Sequence, residues 1–164
     1  VTVNPGEFWR SNHYNHPALT DKMVADAELQ LGVKLPDEYI ALLYIQNGGY
    51  THRFGFPTSH RTLWAEDHVP LHELFGIVTD PSHRTAQNIL DTAYMTREWD
   101  LPPRQVLLAG NGHWWITLDY RNGEVSSVAW LAIDSGQDFQ LAPSFGAFLN
   151  GLLPLSAFDE SVGH

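Results

Sequence analysis

Residues 20–50 read TDKMVADAELQLGVKLPDEYIALLYIQNGGY, and two helices with both their stop signals are legible in that stretch. Thr20 is suited to cap the first helix, because its hydroxyl can accept from a backbone N–H that has no partner inside the helix. Asp21 then sits near the positive end of the helix dipole. Val24, Ala27, Glu28 and Leu31 recur at helical spacing, and Gly32 fits a left-handed helix end that costs a residue with a Cβ far more. Pro36 is tolerated in the first turn of a second helix, where its missing N–H would lack a partner anyway, and Asp37 and Glu38 add negative charge there. Tyr39, Leu42, Leu43 and Ile45 form the apolar stripe of that helix, with Gln46 at its polar edge. Asn47-Gly48-Gly49 ends it.

Downstream the signals change period. Residues 50–72, rich in Gly, Pro, His and Ser, read as the longest irregular region, with a short strand over 53–56 before Pro57, which cannot donate to a ladder. Asp80-Pro81 predicts a turn, and Ser82 is placed to cap a helix over 82–99 that ends at Leu101-Pro102-Pro103. Strands are predicted over 105–109, 114–120 and 125–133, the last two joined by a turn at Arg121-Asn122-Gly123, because Asn-Gly tolerates the positive φ of tight hairpins. In the middle strand Trp114, Ile116, Leu118 and Tyr120 alternate with His113, Trp115, Thr117 and Asp119. The first set is expected under the helices and the second on the outer face. Residues 128–133 show no alternation, which predicts a strand covered on both faces. A closing helix from Ser144 buries Phe145, Phe148, Leu149 and Leu152 and stops at Pro154.

The order of these motifs resembles the SUKH superfamily, which includes fungal regulators of cell-wall synthesis and bacterial immunity proteins. The resemblance rests on Leu31-Gly32, Leu35-Pro36 followed by Tyr39, and Asn47-Gly48-Gly49. It continues through Leu74-Phe75-Gly76, residues 107–119 (LLAGNGHWWITLD) and residues 143–153 (PSFGAFLNGLL). It spans residues 19–153, and the chain departs from it at Asn111-Gly112-His113, where members often carry a more acidic turn. The expected architecture is α+β, with helices packed on a mainly antiparallel twisted β-sheet in one SUKH-like domain over 19–155. An N-terminal extension over 1–18 and a C-terminal tail over 156–164 flank it.

Composition narrows the function. A chain of 164 residues with 43% hydrophobic and 17% charged residues fits one core, and no apolar run approaches the roughly 18–20 residues of a membrane span. The opening VTVNPGEFWRSNHYNH does not read as a signal peptide, so a cytoplasmic protein that neither spans nor binds a membrane is expected. The absence of cysteine excludes disulfides, thiolate zinc ligands and a cysteine nucleophile. Nineteen Asp and Glu against nine Lys and Arg give a formal charge of −10, which repels phosphate backbones. A basic protein partner is therefore expected in place of nucleic acid.

Catalytic and metal patterns are weak by comparison. His13 with His16 and His68 with His72 have ligand-like spacing, but Pro17 and Pro70 argue against regular helices there, and HExxH is absent. No GxSxG turn occurs, and the adjacent pairs Asp37-Glu38 and Glu66-Asp67 point apart on any regular element. Gly110-Asn111-Gly112 lacks a following Lys-Ser/Thr and precedes a strand, which reads as a tight β-turn and not a phosphate loop. No enzyme activity, cofactor or metal is expected. The resemblance implies an immunity protein that binds a toxin domain, such as a nuclease, or in the fungal branch a regulatory scaffold. Trp115 is expected to be the outward member of the tandem tryptophans unless a helix or loop covers it. Asp119 on its face and Trp64, Glu66 and Asp67 in the long loop complete the candidate partner-binding set.

Overall fold

In the computed structural model, residues 4–80 and 87–158 are described. The N-terminal half opens with β1 (Trp9–Ser11), α1 (Asp21–Leu31) and α2 (Asp37–Ile45), followed by β2 (Gly49–Pro57) and β3 (His68–Leu74). The remainder is α3 (Thr92–Trp99), β4 (Gln105–Gly110), β5 (Trp115–Asp119), β6 (Ser127–Ala132), β7 (Gln137–Ala142), α4 (Phe145–Gly151) and the short β8 (Leu153–Pro154). The architecture is α+β, as the sequence predicts, but the strands form two antiparallel sheets of four. One has the order β1-β2-β3 with β8 also paired to β2, and the other has the order β4-β5-β6-β7. The Phe75 N–H donates to the Leu108 carbonyl (2.7 Å), which stitches the end of β3 to the edge of the second sheet.

The helix signals act as read at 20–50. The Thr20 hydroxyl accepts from the Met23 N–H (3.2 Å), and Gly32 ends α1 at φ 71°. Between the helices the Glu28 carboxylate accepts from the Leu35 N–H (2.7 Å), so a residue on the α1 face also closes the α1–α2 turn. Tyr39, Leu42 and Leu43 are buried, whereas Ile45, expected in the apolar stripe, is exposed at the helix end. The buried Tyr39 hydroxyl donates to the Phe75 carbonyl (2.6 Å) and ties α2 to the junction between the sheets.

Asn47-Gly48-Gly49 closes this junction. The buried Asn47 amide donates to the carbonyls of Pro17 (2.8 Å) and Ile77 (2.7 Å), while its oxygen accepts from the Ile77 N–H (2.8 Å). A Cβ at Gly76 would collide with the Asn47 carbonyl, and one at Gly49 (φ 143°) with the Ser11 carbonyl and the Gln46 side chain. The glycines therefore allow three backbones to meet here.

Several boundaries differ from expectation. Residues 50–72 are mostly β2 and β3, with only 58–67 as the connecting loop. Pro70 sits in β3 opposite Gly55, on a strand with only one partner along the sheet order, so its missing N–H interrupts no ladder. The helix expected over 82–99 is observed as a 3-10 turn (Ile89–Asp91) leading into α3; the Ser82 cap lies outside the described residues. Asn88 explains the later start, since its side-chain oxygen accepts from the N–H groups of Leu90 and Val78 and its flank forms a parallel bridge with Gly76. Ser144 caps α4 by accepting from the Ala147 N–H (3.0 Å).

One hydrophobic cluster joins both sheets, running from Phe8, Phe54 and Leu71 to Ile116, Leu118 and Trp130, with α2 and α4 adding Leu43 and Phe148. The segment before residue 19 takes part through Phe8 and β1. At the other end, Phe158 stacks on His68 at 4.0 Å. Among the described residues no helix is long and apolar enough to cross a membrane.

Candidate protein-binding surface

The second sheet is covered on both faces. Ile116, Leu118 and Tyr120 are buried as expected, but so are Trp115 (4% exposed), Thr117 and Asp119 (8% exposed) from the alternate set. The expectation that Trp115 faces outward is therefore corrected. The start of α3 is pinned over the edge strand, where the Thr92 hydroxyl accepts from the Leu107 N–H (3.1 Å), and Trp115 lies edge-on to Phe75 at 6.5 Å. The expectation for Asp119 as an outer-face group is corrected as well. Its carboxylate accepts from the Arg121 guanidinium (2.9 and 3.0 Å), the Arg121 N–H and the Gln105 amide (2.8 Å). Burial pushes the Asp119 pKa up, but the bonds from Arg121 and Gln105 together outweigh it and hold the group below its ordinary value. Arg121, which also grips Asp138 with two bonds of 2.7 Å, is held in its charged form by both carboxylates.

Trp114, expected under the helices, instead stacks nearly parallel on Trp130, with centroids 5.0 Å apart and 10° between the planes. Together they form one wall of a cleft of about 150 Å³ completed by Leu63, Trp64, His113 and Gln137. Leu63 is 92% exposed and Trp64 39% exposed. The cleft is built by polar bonds beneath these side chains. In the loop over 58–67 the Thr62 hydroxyl accepts from the N–H groups of Trp64 (3.0 Å) and Ala65 (3.2 Å), which holds the backbone while leaving both apolar side chains outside. Gln137 donates to the Arg61 carbonyl (2.6 Å) and accepts from the Trp130 indole N–H (3.1 Å), anchoring the loop to β7. Across the cleft, the Asn111 side-chain oxygen accepts from the N–H groups of His113 and Trp114, so the Gly110-Asn111-Gly112 segment is a tight turn that presents Trp114.

Three carboxylates sit on residues close in sequence to those that line the cleft. Asp134 contacts the His113 ring (3.0 Å), Asp67 the His68 ring (2.7 Å), and Glu66 lies 3.6 Å from the exposed Arg61 guanidinium. Trp64, Glu66 and Asp67 are thus brought together by the loop, whereas Trp115 and Asp119 lie buried in the second sheet. The sequence reading missed Leu63, Trp114 and Asp134 as members of this surface. The tandem tryptophans were the available signal, but alternation assigned the wrong one outward. Two wider depressions of about 280 and 700 Å³ flank Val125, yet they mix Glu28, Asp37 and Glu38 with Lys34 and Arg104, and their rings, Tyr120 and Phe145, are buried.

The histidine pairs are absorbed by packing. His16 is buried against the Asn47 carbonyl (2.9 Å), His13 stacks on Tyr50 (4.5 Å), and His68 lies between Phe158 and Trp64. Among the described residues no group of three His, Asp or Glu side chains is placed to hold a metal ion. A second polar cluster sits at the sheet junction, where Glu73 accepts from the Gly110 N–H and faces the buried Tyr14 hydroxyl. Burial pushes both groups toward their neutral forms, with Tyr14, Gly110 and His13 partly offsetting this at Glu73.

A family model described as SMI1 / KNR4 family (SUKH-1) matches residues 18–151. No curated protein and no solved structure matches the chain.

Proposed function

Because the chain belongs to the SMI1 / KNR4 family (SUKH-1), we propose that it is a non-enzymatic immunity protein that binds and neutralises a basic toxin domain, with a nuclease as the best-suited target. The observation that carries this reading is the exposed Leu63–Trp64 tip beside an aromatic cleft, with exposed Glu66 and Asp67 on the same loop, on a chain of formal charge −10. Aromatic anchors supply much of the energy of protein interfaces, and a negative rim speeds encounter with the positive surface by which a nuclease holds phosphates. Glu66 and Asp67, although they face Arg61 and His68, stay exposed beside Trp64, whereas Asp119 is buried under Arg121 and Trp115 supports the sheet. The contact surface therefore consists of Leu63, Trp64, Glu66, Asp67 and the Trp114 wall.

Coexpression with the toxin encoded beside the gene is expected to restore growth, and the purified pair to associate at a rate that falls steeply with salt. Growth arrest despite full expression would reject the immunity role in favour of a regulatory scaffold. Salt-insensitive association would remove its electrostatic half. Reversing the charge at Glu66 and Asp67 together is expected to slow capture by about tenfold with little change in dissociation.

A further inference from the structure

The geometry points to the Trp64–Trp114 cleft as a receptor for a single arginine side chain projecting from the basic partner; this rests on the immunity reading for its biological setting but on the cleft alone for its chemistry. At about 150 Å³ the space is smaller than the roughly 300–1,000 Å³ of small-molecule pockets and suits one inserted side chain. Its polar lining is already engaged, because Gln137 bonds both the Arg61 carbonyl and the Trp130 indole N–H. What the cleft offers an occupant is therefore chiefly the π faces of its indoles.

Trp114 uses one face to stack on Trp130, and a planar guanidinium laid against its cleft side would continue that stack while Trp64 closes from the loop. Charge selects a cation over an apolar anchor. Asp134 contacts the lining residue His113, Asp67 contacts His68, and Glu66 faces Arg61 from the Trp64 loop, yet all three carboxylates stay half or more exposed beside the cleft. A leucine or phenylalanine would fill the volume but gain nothing from the negative charge of those carboxylates. Arginine fits better than lysine because its flat fork stacks on an indole and still meets a carboxylate edge-on.

The test uses the full chain and three blocked tetrapeptides, Gly-Arg-Gly-Gly and its forms with citrulline or leucine in place of arginine, titrated while the indole N–H resonances are followed by NMR. The arginine peptide is expected to move the Trp64 and Trp114 signals saturably in the millimolar range. Citrulline, of equal shape without charge, should bind about three- to tenfold more weakly, and leucine no better than citrulline. Trp64→Leu should lower arginine binding by a similar factor with little change in the urea midpoint. If that variant is misfolded, the citrulline comparison on the wild-type chain decides alone. Equal binding of citrulline, stronger binding of leucine, or no saturable shift in the cleft overturns the assignment. Toxin protection by the wild-type chain is scored separately. Protection without arginine preference rejects the arginine site and keeps the immunity role; arginine preference without protection does the reverse.

Discussion

Asn47 and Trp64 both lie on connections between elements, and the chain treats them in opposite ways. At the 46–49 connection the side chain turns inward. Asn47 is 4% exposed and answers three backbone groups of distant segments. In the 58–67 loop the inward bonding falls to Thr62, a small hydroxyl that holds the turn from beneath, and Leu63 and part of the Trp64 ring are left outside. An inward polar side chain makes a connection part of the scaffold. An outward aromatic one held on a satisfied backbone leaves the connection available to a partner, since an exposed indole adds little to folding.

The contrast predicts a ladder of effects. Asn47→Ala strands the Ile77 N–H and two carbonyls in the interior and is expected to cost about 3 kcal/mol, read as a lowered midpoint in urea denaturation. A loss below about 1 kcal/mol would show that water replaces the amide and would erase the distinction between the two connections.

Asp119→Asn weakens the charged bonds with Arg121 and is expected to cost about 1.5 kcal/mol, because the guanidinium is partly solvated. The folded value of Asp119 lies below the unfolded one, so its contribution is present above the ordinary carboxylate range and is lost as pH falls through the folded value. The variant should accordingly lose less stability than wild type on acidification. Glu73 runs the other way. Its value is raised by burial, so its contribution is present at low pH and is lost as pH rises through the folded value. Glu73→Gln should flatten that part of the stability profile and leave neutral stability within about 1 kcal/mol; an unchanged slope would show that the carboxylate is solvated.

The smallest expected change in stability is at the cleft. Trp64→Leu should shift unfolding by about 1 kcal/mol or less while lowering partner affinity by about tenfold or more. A larger loss of stability would place Trp64 in the scaffold and end the contrast with Asn47.

Legibility followed the range of the interactions. Thr20, Gly32, Pro36 and Ser144 act on backbone groups within a few residues, and each marks its helix end where the sequence placed it, with Pro36 one position before the helix. The start of α3 was misread because Asn88 is held by the Gly76–Val78 segment, a contact absent from local composition. Within 50–72 only the 53–56 part of β2 is legible, and the rest of β2 and all of β3 are missed for a similar reason. Gly, Pro and His are poor local strand formers, and pairing along β2 and β3 overrides that preference.

The candidate surface divides in the same way. Trp64, Glu66 and Asp67 were reachable from the sequence because a polar loop with an aromatic residue has few places to hide it. Trp115 and Asp119 were assigned to the wrong side because alternation names two faces of a strand without saying which face is covered. The covering elements come from elsewhere: α3 pinned at Leu107, Arg121 folded back on Asp119, and Trp130 arriving from β6 to hold Trp114 at the cleft. The sequence by itself determined both ends of α1, the starts of α2 and α4, the hairpin material, the net charge and the family. Only the tertiary structure decided which tryptophan is buried and which carboxylates stay exposed, because burial is set by residues far apart in the chain that meet only once it has folded.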